Sequence, residues 1–159
     1  MPSGIRFKLN SLLDEEFVDA LYRASQAGVK VDLVVRGICA IRPGVPGLSE
    51  NIHIRSILGR FLEHSRIFHF VNAGENELWI GSADLMHRNL DRRVETLVVI
   101  RQSDHKRLLM RAFENYLADT SPCFVMNADG SWTRKTIGSD GRPLRDFHAQ
   151  VISWYGARQ

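Results

Sequence analysis

From Gly4 to Asn10 apolar and polar residues alternate, with Ile5, Phe7 and Leu9 on one side, which predicts a strand. Helical spacing follows. Phe17, Val18, Leu21, Tyr22 and Ala24 share one face of a predicted helix that starts at an Asp14 N-cap and runs to about Ala27. Glu15 and Glu16 suit its first turn and Gly28 closes it. Val29–Val35 is a continuous, mostly β-branched run, as expected of a strand buried inside a sheet. These three elements form a β-α-β unit, the signature of parallel strands joined by a right-handed crossover.

Gly37, Pro43, Gly44, Pro46 and Gly47 make Arg36–Asn51 a loop. It follows the C-terminal end of a central strand, where open α/β sheets bind ligands. Beyond it the pattern predicts an extended Ile52–Ile57, a helical turn over Leu58–Glu63, and strands Arg66–Val71 and Glu77–Gly81 around a turn at 72–76. Arg92–Ile100 reads as a further strand. Ser103 and Asp104 are expected to cap an amphipathic helix to about Ala118, burying Leu108, Leu109, Ala112, Phe113, Tyr116 and Leu117. Cys123–Met126 and a short strand near Trp132–Lys135 form a hairpin around Asn127–Gly130. A loop at Gly138–Pro143 and a helix at Leu144–Tyr155 complete one α/β domain over residues 1–159.

The length of 159 residues suits that single domain, and 44% apolar with 25% charged residues is ordinary for a globular protein. No apolar run approaches the ~20 residues that cross a bilayer, and no signal peptide precedes the first strand, so a cytoplasmic protein without transmembrane segments is expected. Cys39 and Cys123 have neither metal-ligand spacing nor a disulfide pattern and are expected as reduced thiols. Net charge is only +3, but 17 of the 21 basic residues are Arg. A guanidinium fork matches phosphate oxygens, so the excess suits polyanion binding, although from composition alone an Arg-favouring genome is the better explanation. The placement of the arginines must decide.

Three places could carry chemistry. In Val35-Arg36-Gly37-Ile38-Cys39 an Arg ends a buried strand and a Gly lets backbone approach a ligand. The commoner fate of such an Arg is a solvated ion pair. In Leu62-Glu63-His64-Ser65-Arg66, His64 and Arg66 point the same way if the strand already holds at 64, which would pair an imidazole suited to phosphoryl chemistry with a charge-stabilising Arg. Gly81-Ser82 at a strand end offers a backbone N–H and a hydroxyl as a phosphate cradle. Arg88, Arg92 and Arg93 crowd the segment after it, with Asp84, Asp91 and Glu95 to orient them, and Arg93 and Glu95 would share a strand face. Taken alone, that cluster is more simply a solvated, charge-balanced turn.

Read in order, Phe7-Lys8-Leu9-Asn10-Ser11-Leu12, Val35–Cys39, Phe61–Arg66 and Gly81–Glu95 closely resemble the C-terminal domain of the long, multidomain polyphosphate kinases. The likeness continues more loosely through Phe124–Arg134, and four ordered blocks at matching spacing make it specific. The resemblance implies a phospholipase D-like sandwich, a mixed and mostly parallel sheet flanked by helices. It implies an ATP:polyphosphate phosphotransferase that reversibly makes inorganic polyphosphate from the terminal phosphate of ATP, with Mg²⁺, through a phosphohistidine. It also implies a homo-oligomeric full-length enzyme.

The phosphorylated histidine and the Mg²⁺ sites belong to another domain. What the resemblance assigns to this chain is Arg36 and His64 as contacts to ATP phosphates, His64 also assisting transfer, and Arg93 as a further phosphate-facing residue. Arg66, Gly81, Ser82, Asp84 and Arg88 are candidates for support or cradle, and no metal ligands are expected. The family's domain begins with more sequence before the strand at 4–10, so this chain is expected to be shortened at its N-terminal side and inactive alone. Phospholipase D enzymes carry His-x-Lys, then Asp five residues after the Lys, and later Gly-Ser-x-Asn. Here Arg66 replaces the Lys, Val71 the Asp and Asp84 the Asn. A phospholipase D-like phosphodiesterase and a non-catalytic polyanion-binding module are the competing readings. The absence of aromatic-interleaved basic stripes counts against nucleic acid as the polyanion.

Overall fold

The computed structural model describes residues 2–118 and 121–157, so the ends of the expected 1–159 domain and the pair 119–120 lie outside the described residues. The β-α-β unit forms as its pattern requires: β1 (Ser3–Leu9), α1 (Glu15–Gln26) and β2 (Lys30–Val35). Asp14 caps α1 by accepting from Phe17 N at 3.1 Å. β1 and β2 run parallel, with Phe7 opposite Leu33. β3 (Ile52–Ser56) extends the parallel set on the far side of β2.

Five further strands complete one eight-stranded sheet: β4 (Arg66–Asn72), β5 (Glu75–Gly81), β6 (Leu97–Val99), β7 (Cys123–Met126) and β8 (Trp132–Lys135), in the order β6-β5-β4-β1-β2-β3-β7-β8. The sheet is mixed, but it is not mostly parallel. Among the strands of the described residues only β1 with β2 and β2 with β3 pair in parallel; the other five strand pairs are antiparallel. Short connections account for two of these antiparallel pairs, the hairpins β4–β5 and β7–β8, since a hairpin returns antiparallel and parallel strands need a crossover of a dozen or more residues. β4 and β5 are joined by Ala73 and Gly74 alone, both left-handed at φ 53° and 96°.

Each face of the sheet is covered by helices. Phe7, Leu9, Val31, Leu33, Val35, Ile52 and Ile54 pack with Leu21 of α1. On the other face Val34, Ile57 and Cys123 meet Tyr116 of α3 (Ser103–Leu117) and Phe147 of α4 (Phe147–Gly156). Ile67 and Leu78 meet Phe113 of α3. No helix of the described residues is long and apolar enough to cross a membrane.

Several local expectations change. Leu58–Glu63 is not helical. The His148 ring fills the space beside Gly59, and Phe61 N donates to His148 Nδ1 at 3.1 Å instead of entering a helical ladder. The expected Arg92–Ile100 strand shrinks to Leu97–Val99, because its partner β5 ends at Gly81, which pairs with Leu97. A short helix, α2 (His87–Asp91), was not legible. Ser103 and Asp104 lie inside α3, whose N-cap is Gln102 without a side-chain bond. α4 starts late because Asp146 caps it, accepting from Ala149 N at 2.8 Å.

Candidate functional site

Parallel pairing of β1 and β2 ends at Leu9 opposite Val35, so Asn10 and Arg36 leave the sheet side by side. Gly37 N donates to Asn10 O at 2.7 Å. A Cβ on Gly37 would lie 2.8 Å from that same oxygen, so only glycine permits the approach. Arg36 then turns back: its Nε and Nη2 donate to Asn10 Oδ1 at 3.1 and 3.0 Å. Asn10 is buried, and its Nδ2 has no hydrogen-bond partner.

Asp84 joins this corner to the strand that carries Arg66. Its Oδ1 accepts from Asn10 N at 2.7 Å, Ser11 N at 3.2 Å and Arg66 Nε at 3.3 Å, and its Oδ2 accepts from Arg66 Nη2 at 2.9 Å. Burial by itself would raise the Asp84 carboxyl. The Arg66 hydrogen bonds and the two backbone N–H groups outweigh it and hold the group below the usual carboxylate range. The remaining end of Arg66 reaches His64, with Nη1 at 2.9 Å from Nδ1 and 2.8 Å from the backbone oxygen. His64 lies outside β4, so strand alternation is not what brings it to Arg66; the guanidinium does. Its side chain is exposed.

A buried network anchors the loop that carries His64. Glu63 accepts from Lys8 Nζ at 3.2 Å, Tyr116 Oη at 2.7 Å and His148 Nε2 at 2.9 Å. Lys8, only 2% exposed, also donates to Ser65 O at 3.2 Å. Its pKa is lowered first by burial; Glu63 opposes this, and the positive fields of Arg36 and Arg66 lower it further. The fields of Lys8, Arg36 and Arg66 therefore overlap, and a bound anion would relieve their repulsion.

The Gly81–Glu95 segment is arranged differently from the sequence expectation. Asp84 orients Arg66 rather than Arg88, Arg92 or Arg93. Asp91 accepts from His87 Nδ1 at 3.0 Å. Glu95 takes the Ser82 hydroxyl and Asn89 Nδ2, which with the fields of Arg93 and Arg66 hold its carboxyl below the usual range. Arg93 and Glu95 lie before β6 and share no strand face. Arg88, Arg92 and Arg93 are exposed. The Ser82 hydroxyl also accepts from Thr96 N at 3.0 Å, and a Cβ on Gly81 would meet Thr96 O at 2.7 Å, so this glycine admits the chain's own backbone.

Sequence reasoning assigned no role to Asn10, Lys8, Glu63, Tyr116 or His148. One signal was present: Lys8 and Asn10 alternate with Phe7 and Leu9, a polar row on a strand whose both faces are covered. Among the described residues no cluster of three or more His, Cys, Asp or Glu could hold a metal ion. Asp84, the carboxylate bound to Arg66, already accepts four N–H bonds and does not fit a magnesium ligand.

The sheet order, the helices on both faces and the strand-end site define a phospholipase D-like α/β fold. The crystal structure of polyphosphate kinase from Porphyromonas gingivalis matches with a TM-score of 0.89 at 35% identity, over 98% of this chain and 24% of that one. NucT from Helicobacter pylori shares the fold, with a TM-score of 0.50 at 10% identity, over 72% of this chain and 77% of that one. Residues 1–146 match the family described as Polyphosphate kinase C-terminal domain 2, and the chain belongs to that family. Polyphosphate kinase from Streptomyces coelicolor is 58% identical over 151 residues, 95% of this chain. That from Mycobacterium avium is 55% identical over 148 residues, 93% of this chain. The chain spans 20% of the length of each of these two relatives.

Proposed function

We propose that this chain acts as one domain supplying half of a polyphosphate kinase active site, in which the terminal phosphate of ATP passes reversibly to inorganic polyphosphate. The observation that carries the reading is the convergence of Arg36, Arg66 and His64 on one strand-end corner, braced by Asn10 and Asp84. Phosphoryl transfer spreads charge over non-bridging oxygens, so positioned cations and N–H donors are what the protein must provide. Arg36 and His64 contact ATP or polyphosphate oxygens, Arg66 and Asp84 hold them, and Arg93 with Arg88 extends the positive surface past Gly81 and Ser82. The phosphorylated histidine and the Mg²⁺ ligands lie in the rest of a cytoplasmic, homo-oligomeric enzyme, and the isolated chain is inactive.

A phosphodiesterase is less well supported, because Arg66 and Asp84 are bound to each other where such enzymes present Lys and Asn. Arg36→Ala in the longer enzyme tests the proposal. Turnover with ATP falls by about 100-fold, the usual cost of one preorganised charge-stabilising group, while the melting temperature changes little. Turnover equal to wild type would show that Arg36 serves no phosphate.

A further inference from the structure

We infer that Lys8 is a positioning residue for turnover: its enclosed ammonium grips the loop on both sides of His64 and sets the imidazole against the strand end that carries Arg36, a task the stability of the fold does not require. This assignment rests on the reading of His64 as a phosphate contact and goes further in naming what places it.

His64 stands in the stretch 57–65, which forms neither helix nor strand, and its side chain is exposed, so no backbone ladder holds it. Lys8 Nζ donates to Ser65 O at 3.2 Å and meets Glu63 Oε2 at 3.2 Å, which engages the residues immediately after and before the histidine. The same ammonium lies over the Tyr116 ring, 5.6 Å from its centroid, and Tyr116 Oη donates to Glu63 at 2.7 Å. Lys8 sits in β1 opposite Val34 of β2 and Ile67 of β4. Asn10, which holds the Arg36 fork, lies two positions further along β1, roughly 7 Å at the rise of a strand. One short length of strand therefore fixes Arg36 through Asn10 and the His64 loop through Lys8.

Stability alone does not call for a lysine here. Among the described residues Lys8 is the one buried lysine or arginine, at 2% exposed. Burial lowers its pKa first, Glu63 opposes this, and the fields of Arg36 and Arg66 lower it further, so the charged form is maintained against its surroundings. An enclosed ion pair commonly gives way to neutral residues of similar volume at little or no loss of stability. What a neutral side chain at this position cannot replace is the grip on Glu63 and Ser65 together.

The test, in the longer enzyme, removes both charges at once, because removing one strands the other in the interior. Lys8→Met/Glu63→Gln keeps the volume, and the amide keeps an acceptor for Tyr116 or His148. The double variant folds and melts within a few degrees of wild type. Its kcat falls by roughly 10- to 100-fold and its KM for ATP changes by less than about threefold, because the ring is misplaced while Arg36 keeps its brace. His64→Ala alone lowers kcat by about 100-fold, and in that background the same two changes cost less than about twofold more, since Lys8 acts through a ring that is gone. A double variant that fails to fold, that keeps wild-type kcat, or that loses kcat equally with and without the His64 ring overturns the role of Lys8 and leaves the phosphate site standing. A harmless His64→Ala overturns instead the reading of His64 as a phosphate contact, and the role of Lys8 with it.

Discussion

Arg36 closes both Nε and Nη2 on a single acceptor, the side-chain oxygen of Asn10, at 3.1 and 3.0 Å. That leaves its Nη1 end without a protein partner among the described residues. The same Asn10 holds Asp84 through its backbone N–H, so one residue sets the spacing between the two arginines of the corner. In the longer enzyme, Asn10→Ala frees the fork of Arg36 and raises KM for ATP by about tenfold, corresponding to the ~1.5 kcal/mol of a charged hydrogen bond, with a smaller change in kcat. An unchanged KM would mean that Arg36 is positioned by something else.

Gly37 tests the same corner through the backbone. Its added Cβ would lie 2.8 Å from Asn10 O, a main-chain atom at the end of a paired strand that cannot move cheaply. Gly37→Ala therefore destabilises the chain by about 1–3 kcal/mol, the usual range for overpacking, and denaturant titration measures it. A change below 0.5 kcal/mol, the order of an ordinary surface substitution, would show that the corner is looser than its geometry.

Local pattern made much of the frame legible. The β-branched run through Val35, the Asp14 cap and the 127–130 turn are written in neighbouring residues, and each formed where the spacing placed it. The pairing of β1 with β4 was not legible, because no short-range rule says which strand fills the second edge of β1. The site divides the same way. Arg36 and His64 announced themselves by residue type at strand ends. Glu63 did not, since Tyr116 and His148 lie 53 and 85 positions away. Asp84 looked like a partner for its arginine-rich neighbours, yet burial beside the ends of β1 and β4 gave it to Arg66, 18 positions upstream.

Ala73 sits at φ 53° in the two-residue turn between β4 and β5. An L-residue in the left-handed region costs roughly 1–2 kcal/mol, and Asn less, because its side chain can bond locally. Ala73→Asn completes the preferred Asn-Gly pair and stabilises the chain by ~1 kcal/mol, seen as a higher melting temperature. A lower one would exclude that turn geometry.

Glu63 binds Lys8, Tyr116 and His148 at once, and Lys8 is almost fully enclosed. Removing one partner of a buried pair leaves an uncompensated charge, so Glu63→Ala destabilises by about 3–5 kcal/mol. Hydrogen exchange across residues 57–65 rises with it, because Phe61 N and Ser65 O are tied to the same network. Unchanged exchange there would show that the His64 loop is held independently of Glu63.

Acid titration isolates the Asp84–Arg66 pair. The folded Asp84 carboxyl titrates below its ordinary value, because the Arg66 bonds and two backbone N–H groups overcome the cost of burial. A depressed carboxyl contributes stability that is complete above the unfolded value, near 3.9, and is lost as pH falls through the lower folded one. Asp84→Asn keeps an acceptor for the Asn10 and Ser11 N–H groups and loses the charge. At neutral pH the variant is less stable by about 1.5–3 kcal/mol, the worth of a hydrogen bond to a charged group. Below pH ~4 the difference shrinks, as wild type gives up the same charge. Asp129, held low by the Ser131 hydroxyl and backbone and not by Arg66, cancels from the comparison. Melting temperatures of the two chains from pH 7 down to the acid limit decide it. A gap that stays constant into acid would mean the carboxylate charge on Asp84 contributes nothing to holding Arg66, and with it the orientation of His64.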